Sequence, residues 1–257
     1  MTAPIDKRRI VLRSLAGLGA VMLAGCDRLA HTSWFPKVLA TGESLNHGVH
    51  KALVSRKAMA EEFSEADLSP EFRSNGTDNP NSAAYQAMVA SGFSDWHLKV
   101  DGLVAHPQAL TLAQLRALPS RTQITRHDCV EGWSAIGQWT GVPLQQILAM
   151  AQPTAAARYV VFHCADPMEA DGSSLYYESI DMDDANHPQT ILAYALNGAT
   201  LPVKNGAPLR LRVERQLGYK QAKYLMRIEL VDSFAPIAGG KGGYWEDSSG
   251  YQWYAGI

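Results

Sequence analysis

The sequence predicts an α+β fold, and three observations carry that reading. Trp96, Leu98 and Val100 alternate with His97, Lys99 and Asp101, which is strand periodicity, and Asp101-Gly102 is a hairpin signal. Thr111-Leu112-Ala113-Gln114 is a capping box. It starts a short helix whose apolar face is Leu112, Leu115 and Leu118, closed by Pro119. Pro143 suits the first turn of another helix, through Leu144, Ile147 and Leu148. Short strands and short helices this close together suggest an α+β domain.

Further along, Tyr159-Val160-Val161-Phe162 reads as a buried strand, and Tyr176-Tyr177-Glu178 lies in a strand-like segment. His187-Pro188 is expected to open a helix through Ile191, Leu192, Ala195 and Leu196, stopped by Asn197-Gly198. Leu209, Leu211 and Val213 alternate with Arg210 and Arg212, so this segment is expected as a strand with both arginines on one face. Tyr224–Val231 returns as a strand. Before these, Thr41–Glu71 carries helix-compatible spacing in Leu53, Val54, Ala58, Met59 and Phe63, and Glu71–Pro80 is loop.

A chain of 257 residues can bury a substantial core in one domain, or at most two. Net charge is -2 and there is no basic run beyond the N-terminus, which argues against a nucleic-acid partner. Cys26, Cys129 and Cys164 are too few for a disulfide framework.

Residues 1–25 read as an export signal. Lys7-Arg8-Arg9-Ile10-Val11-Leu12-Arg13 is a twin-arginine pattern, followed by an apolar run from Leu15 to Gly25 of signal-peptide proportions. Leu23-Ala24-Gly25-Cys26 has the form of a lipoprotein box, so Cys26 is the expected lipid anchor. Cleavage before Cys26 takes the net charge from -2 to -5. The expected location is the periplasm, membrane-associated, reached as a folded protein. Residues 26–40 read as a tether, and 41–257 as the folded domain.

The chemistry is expected in Thr125–Leu148, with Cys129 on a loop between a strand and a helix, where it can be presented to a ligand. Cys129 is followed by Val130, Glu131, Trp133 and Ser134, and then by Trp139, Gly141, Pro143 and Leu144. This C-V-E-x-W-S and W-x-G-x-P-L pattern resembles the sulfite oxidase family of molybdenum-cofactor enzymes. Within it, the pattern is nearest to a bacterial periplasmic branch that includes a methionine sulfoxide reductase catalytic subunit. The resemblance covers the chain from about Phe72 to its end.

The resemblance implies a sulfite-oxidase-type fold with a mixed β-sheet around a buried molybdopterin. Cys129 is then the molybdenum ligand and the catalytic residue, with soft thiolate suiting a sulfur-bound metal. Asn75 matches a pterin-contacting asparagine, although Asn75-Gly76 equally fits a turn needing positive φ. Cys164 falls where the family places a pterin contact, usually a threonine; the simpler reading is a small buried residue. Asn205 and Arg210, in Asn205-Gly206-Ala207-Pro208-Leu209-Arg210, match cofactor contacts, while Arg212 reads as an exposed strand charge. Gly218, Tyr219, Lys220 and Lys223 match a turn that holds the pterin phosphate. Near Cys129 in sequence, Arg126 and His127 favour the thiolate and Asp128 opposes it.

The expected activity is two-electron oxo transfer on a small substrate: an S-oxide, an N-oxide or a sulfite-like anion. Sulfite is not the first choice, because no arginine cluster for an oxyanion is evident. The resemblance implies a membrane haem protein or a soluble cytochrome as electron partner, with the chain itself a monomer. Trp245, Tyr251, Trp253 and Tyr254 could close the pocket mouth or simply plug the C-terminus. Two other readings compete. One is a zinc or copper site built from His127, Cys129, His163 and Cys164. The other is a non-catalytic exported lipoprotein.

Overall fold

The computed structural model describes residues 31–169 and 171–257. The twin-arginine pattern, the apolar run after it and Cys26 lie outside the described residues. The chain divides into two compact units, Met1–Ser55 and Arg56–Ile257. The described part of the first is a helix, α1 (Phe35–Leu53), with proline in its first turn. It begins inside the stretch expected as tether and stops well before Glu71. Among the described residues no helix is long and apolar enough to cross a membrane.

Beyond α1, the expected helix is replaced by irregular chain whose backbone partners come from elsewhere. Phe63 N–H donates to the Ile124 carbonyl at 2.8 Å, and Ala60 exchanges two hydrogen bonds with the Gln189 side-chain amide. Apolar spacing alone could not reveal those external partners.

The second unit is α+β, with two five-stranded sheets. Its elements are α2 (Ala83–Ala90), β1 (His97–Gly102), β2 (Gln108–Thr111), α3 (Leu112–Ala117), β3 (Arg121–Cys129), β4 (Trp133–Pro143) and α4 (Leu144–Ala151). Then come β5 (Tyr159–Pro167), β6 (Leu175–Asp181), α5 (Met182–Ala185), β7 (Ile191–Leu196), β8 (Ala199–Thr200), β9 (Arg210–Arg212), β10 (Leu225–Val231) and α6 (Tyr244–Ser249). One sheet has the order β2-β1-β10-β5-β6; it is mixed, because β1 runs parallel to β10 while its other pairs are antiparallel. The other is antiparallel, β3-β4-β7-β8, with β9 also pairing to β7.

Local chemistry explains most of these elements. Leu98 and Val100 on β1 are buried while His97 and Lys99 are exposed, as alternation requires. The Thr111 and Gln114 capping box forms at the start of α3. Helix α4 buries Leu144, Ile147, Leu148 and Ala151 in the larger core, with Leu98, Phe162 and Ile228. A smaller core gathers Phe72, Trp139, Ile191 and Leu196.

Two expected elements differ. Residues 191–196 form strand β7, not a helix. Ile191, Leu192 and Ala193 are consecutive and all buried, because β7 lies between β4 and β9 in the sheet. A short apolar run buried on both faces cannot be told from a helix by periodicity. Asn197 and Gly198, read as a helix stop, both have positive φ and make the two-residue turn from β7 to β8. Cys129 is also not on a strand–helix loop. It ends β3 and pairs with Trp133 across the tip of the β3–β4 hairpin, where Gly132 takes φ 85°.

Gly141 lets β4 approach β7. A Cβ there would lie 2.2 Å from the Leu192 carbonyl oxygen, so backbone must move. Gly141→Ala is expected to cost about 2 kcal/mol or more by overpacking, read as a lower urea midpoint at unchanged m-value.

Candidate active site

The inward face of β3 prepares the site. Gln123, Thr125 and His127 are buried at alternate positions, and Cys129 follows at the next position of the same face. A strand that buries polar residues in register needs polar partners. Strand β9 supplies them. Arg212 donates to both carboxylate oxygens of Glu214, to Thr125 Oγ1 at 3.4 Å, and to His127 Nδ1 at 3.1 Å. Arg212 is therefore wholly buried, and the expectation of an exposed strand charge is wrong. The register, with Ile191 opposite Arg212 and Ala193 opposite Arg210, goes with a place for both arginines beside the smaller core and Trp139, while Leu211 between them joins the larger core. Both guanidiniums face the Trp139 ring, at 5.0 Å for Arg210 and 4.4 Å for Arg212.

Arg210 has a different set of partners. It donates to the carbonyls of Asn205 at 3.0 Å and Gln221 at 3.3 Å, and its Nε has no partner. Burial and the neighbouring Arg212 lower its pKa to about 9. The same two causes, burial first and then Arg212 and Arg210, hold His127 well below the usual histidine range. His127 is thus neutral and lends Cys129 no positive charge. Arg126 lends none either: it is half exposed and paired with Asp128 at 3.0 Å. The cations that act on this region, Arg210 and Lys223, come from far along the chain.

Cys129 opens onto a cavity of about 530 Å³. Burial pushes its thiol above the ordinary value and Glu131 adds to that; the backbone N–H of Glu131, and Arg210, oppose it. The cavity's lining includes Asn75, Gly76, Thr77, Gln221 and Lys223. Lys223 Nζ donates to the carbonyls of Asn75, Thr77 and Lys204, which tie the Asn75 loop down. Burial, then Arg210, lowers its pKa to about 8. Asn75 Oδ1 is buried without a partner, and so is Asn205 Nδ2.

Of the residues expected from sequence, Asn75, Cys129, Gly218, Tyr219 and Lys223 line the cavity. Asn205 and Arg210 stand behind it, joined to Gln221, which does line it. Lys220 and Cys164 do not line it. Lys220 is fully buried, with its ammonium between Glu178 and Glu246. Cys164 is 2% exposed and belongs to the larger core, where burial raises its thiol far above the usual range. Sequence reasoning passed over Thr77, Asp166, Met168, Tyr176 and Gln221, which also line the cavity. Asp166 and Gln221 were detectable only as polar residues adjoining quoted motifs.

A polar cofactor with an anionic end fits these residues. Unpartnered buried atoms on Asn75, Asn205 and Arg210 lack what such a group offers, and native interiors rarely leave them so. Gly218 lets the 218–220 turn pack against β3, since a Cβ there would lie 2.5 Å from His127 Nε2. A thiol faces the same space. The zinc or copper reading finds no support. His163 bonds to Glu229 at 2.9 Å, and no group of three or more His, Cys, Asp or Glu among the described residues could hold a metal ion.

Such a site, a single thiol over a cavity lined by hydrogen-bonding side chains and a lysine, defines a cofactor-dependent enzyme. Residues 85–236 match the family described as "Oxidoreductase molybdopterin binding domain", and the chain belongs to that family. It is 37% identical over 250 residues to a putative protein-methionine-sulfoxide reductase subunit, YedZ1, of Azospira oryzae, covering 97% of this chain and 87% of that one. It is 36% identical over 241 residues to the protein-methionine-sulfoxide reductase catalytic subunit MsrP of Xanthomonas axonopodis pv. citri, covering 91% and 72%. The sulfane dehydrogenase SoxCD of Paracoccus pantotrophus aligns in structure over 54% of this chain and 38% of its own, with TM-score 0.49 and 24% identity. The chain is a molybdopterin-dependent oxidoreductase with an α+β fold, and its cofactor is molybdopterin carrying molybdenum. The non-catalytic reading is thereby overturned.

The lowered pKa of Lys223 has a pH signature. From about pH 8 to the unfolded value near 10.5, the unfolded chain holds a proton that the folded one has lost, so Lys223 makes stability rise with pH there. In cofactor-free protein, Lys223→Met is expected to remove roughly one proton from that dependence between pH 8 and 10. Urea titrations across that range measure it; an unchanged slope would place the titration elsewhere.

Proposed function

We propose that this chain is the catalytic subunit of an exported sulfoxide reductase, acting on methionine sulfoxide within proteins. The observation that carries the reading is the charge of the cavity. Cys129 opens onto a space lined by no arginine, whose charged residues are Glu131, Asp166 and Lys223. An oxyanion such as sulfite gains little there, whereas a neutral sulfoxide meets hydrogen-bonding groups and apolar rings. The names of the relatives agree with this substrate class.

When bound, the molybdenum centre supplies a two-electron couple linked to oxygen-atom transfer. The balance is one sulfoxide, two electrons and two protons giving one thioether and one water. Cys129 would hold the metal as thiolate at the cavity wall, where the metal's positive charge would offset the cost that burial places on the free anion. Asn75 and Asn205 would offer their unpartnered oxygen and amide nitrogen to the pterin. Lys223 and Arg210 would offset the phosphate's charge. Tyr219 lines the same cavity. Lys220 is assigned a different role, since its charge is already shared by two carboxylates.

The electrons come from a membrane haem protein or a soluble cytochrome. Arg8 and Arg9 support export to the periplasm by the twin-arginine route, and Leu23–Cys26 supports lipid attachment at Cys26. Replacing Arg8 and Arg9 together by lysine is expected to leave the protein in the cytoplasm. Cys26→Ser is expected to move the exported protein from membrane to soluble fractions. Both are read by fractionation and immunoblot.

The function is tested with enzyme made in a molybdopterin-synthesising host, using reduced viologen as donor. Methionine sulfoxide in an unfolded polypeptide should be reduced, and sulfite should not be oxidised with ferricyanide as acceptor. Cys129→Ser is expected to keep pterin but lose more than about 100-fold of kcat, beyond what outer-shell changes cost. Sulfite oxidation without sulfoxide reduction would sink the reading.

A further inference from the structure

The cavity is also lined by a group of aromatic rings. Tyr219, Trp245 and Tyr251 line it, with Met168 and Tyr176. They form a continuous series. Tyr219 meets Tyr251 edge-on at 5.1 Å, and Tyr251 stacks on Trp245 at 5.8 Å. Trp245 meets Tyr244 at 5.2 Å, and Tyr244 lies 6.2 Å from Tyr176. Tyr251 is 36% exposed, so the series runs from the cavity out to solvent.

The C-terminal segment that carries these rings is held at many points. Lys220 binds Glu246, next to Trp245, and at the same time Glu178 on β6. The Tyr177 hydroxyl binds Asp247, whose carboxylate also accepts from the N–H of Gly239 and Lys241. Tyr219 Oη donates to the Gln252 carbonyl, and Trp253 Nε1 donates to Ser179 Oγ at 2.8 Å. Leu217 N–H donates to the Ala255 carbonyl at 2.9 Å. Rigid rings lose little entropy when a ligand docks on them, which is the condition for a preorganised binding wall.

We infer that Trp245 and Tyr251 are specificity-determining residues, forming a wall that receives the methylene and S-methyl groups of a methionine sulfoxide side chain and selects a polypeptide substrate over small sulfoxides. The inference rests on the sulfoxide reading above and names what that site prefers. Sulfur substituents and methyl groups pack well on ring faces and edges. The open end of the series lets a flexible backbone lie across Tyr251 while its side chain reaches toward Cys129. A small sulfoxide such as dimethyl sulfoxide reaches the same thiol-side space without using the outer rings.

The test compares holoenzyme with Tyr251→Ala, Trp245→Leu and the double variant, each checked for molybdenum and pterin content. Substrates are an unfolded peptide bearing methionine sulfoxide, and dimethyl sulfoxide. The ratio of kcat/KM for peptide over dimethyl sulfoxide is expected to fall about tenfold in the double variant, chiefly through the peptide's KM. A peptide bearing non-reducible methionine sulfone should bind about tenfold more weakly by calorimetric titration, a readout independent of turnover. Trp245→Phe, which restores a ring, should recover most of the ratio. If Trp245→Leu loses its cofactor, the exposed Tyr251→Ala decides the matter alone. A wild-type enzyme that reduces both sulfoxides, with variants whose two kcat/KM values move in parallel, would overturn the wall and leave the sulfoxide reading intact. A wild-type enzyme that reduces neither would overturn both.

Discussion

Arg210 is buried without a carboxylate of its own, and the site is organised around that fact. Removing an ion from water costs about several kcal/mol unless partners replace the water. Arg212, two residues on, has such a partner in Glu214, which accepts two hydrogen bonds from it. Arg210 has two carbonyls and the face of Trp139. The pairing of β9 to β7 holds it there, since Ala193 and Leu192 on β7 stand opposite Arg210 and Leu211. Backbone polarity and a ring face lessen the cost without cancelling the charge, and Arg212 repels it further, so its pKa falls to about 9. The unmet negative charge fits the anionic cofactor of the enzyme family to which the chain belongs.

The opposite imbalance stands in the C-terminal region. Lys220 is one cation shared by two buried carboxylates, Glu178 and Glu246. Burial, reinforced by Glu246, raises Glu178 well above the usual carboxylate range, and Lys220 pulls the other way. The cluster binds the start of α6 to β6 and the 218–220 turn. One motif thereby serves two ends. Gly218 and Tyr219 face the cavity, and Lys220 turns away to anchor the tail whose rings also line it.

The β3–β4 hairpin joins these parts. Its strand periodicity is unusual, because the buried positions of β3 are Gln123, Thr125 and His127. Apolar patterning therefore does not mark this strand. Alternation marked β1 well, where Leu98 and Val100 enter an apolar core. It failed for β7, whose consecutive apolar residues are buried on both faces. It failed differently for the segment after α1, where the hydrogen bonds come from β3 and Gln189. Each failure has one cause: the deciding partner is distant in sequence.

By itself the sequence determined the class of chemistry: a cysteine in C-V-E-x-W-S, an asparagine–arginine segment and a glycine–lysine turn, in that order. It also determined the short caps and turns whose partners lie within a few residues, such as Thr111 with Gln114. Only the tertiary structure decided which charges reach the thiol. Arg126, three residues away, is spent on Asp128, and His127 is held neutral, while Arg210 arrives from the far end of the fold. It also decided that Lys220 and Cys164 stand apart from the cavity and that Trp245 and Tyr251 line it. The physical reason is range. Backbone caps and turns act between near neighbours, whereas charge and burial depend on distance in space, which folding sets.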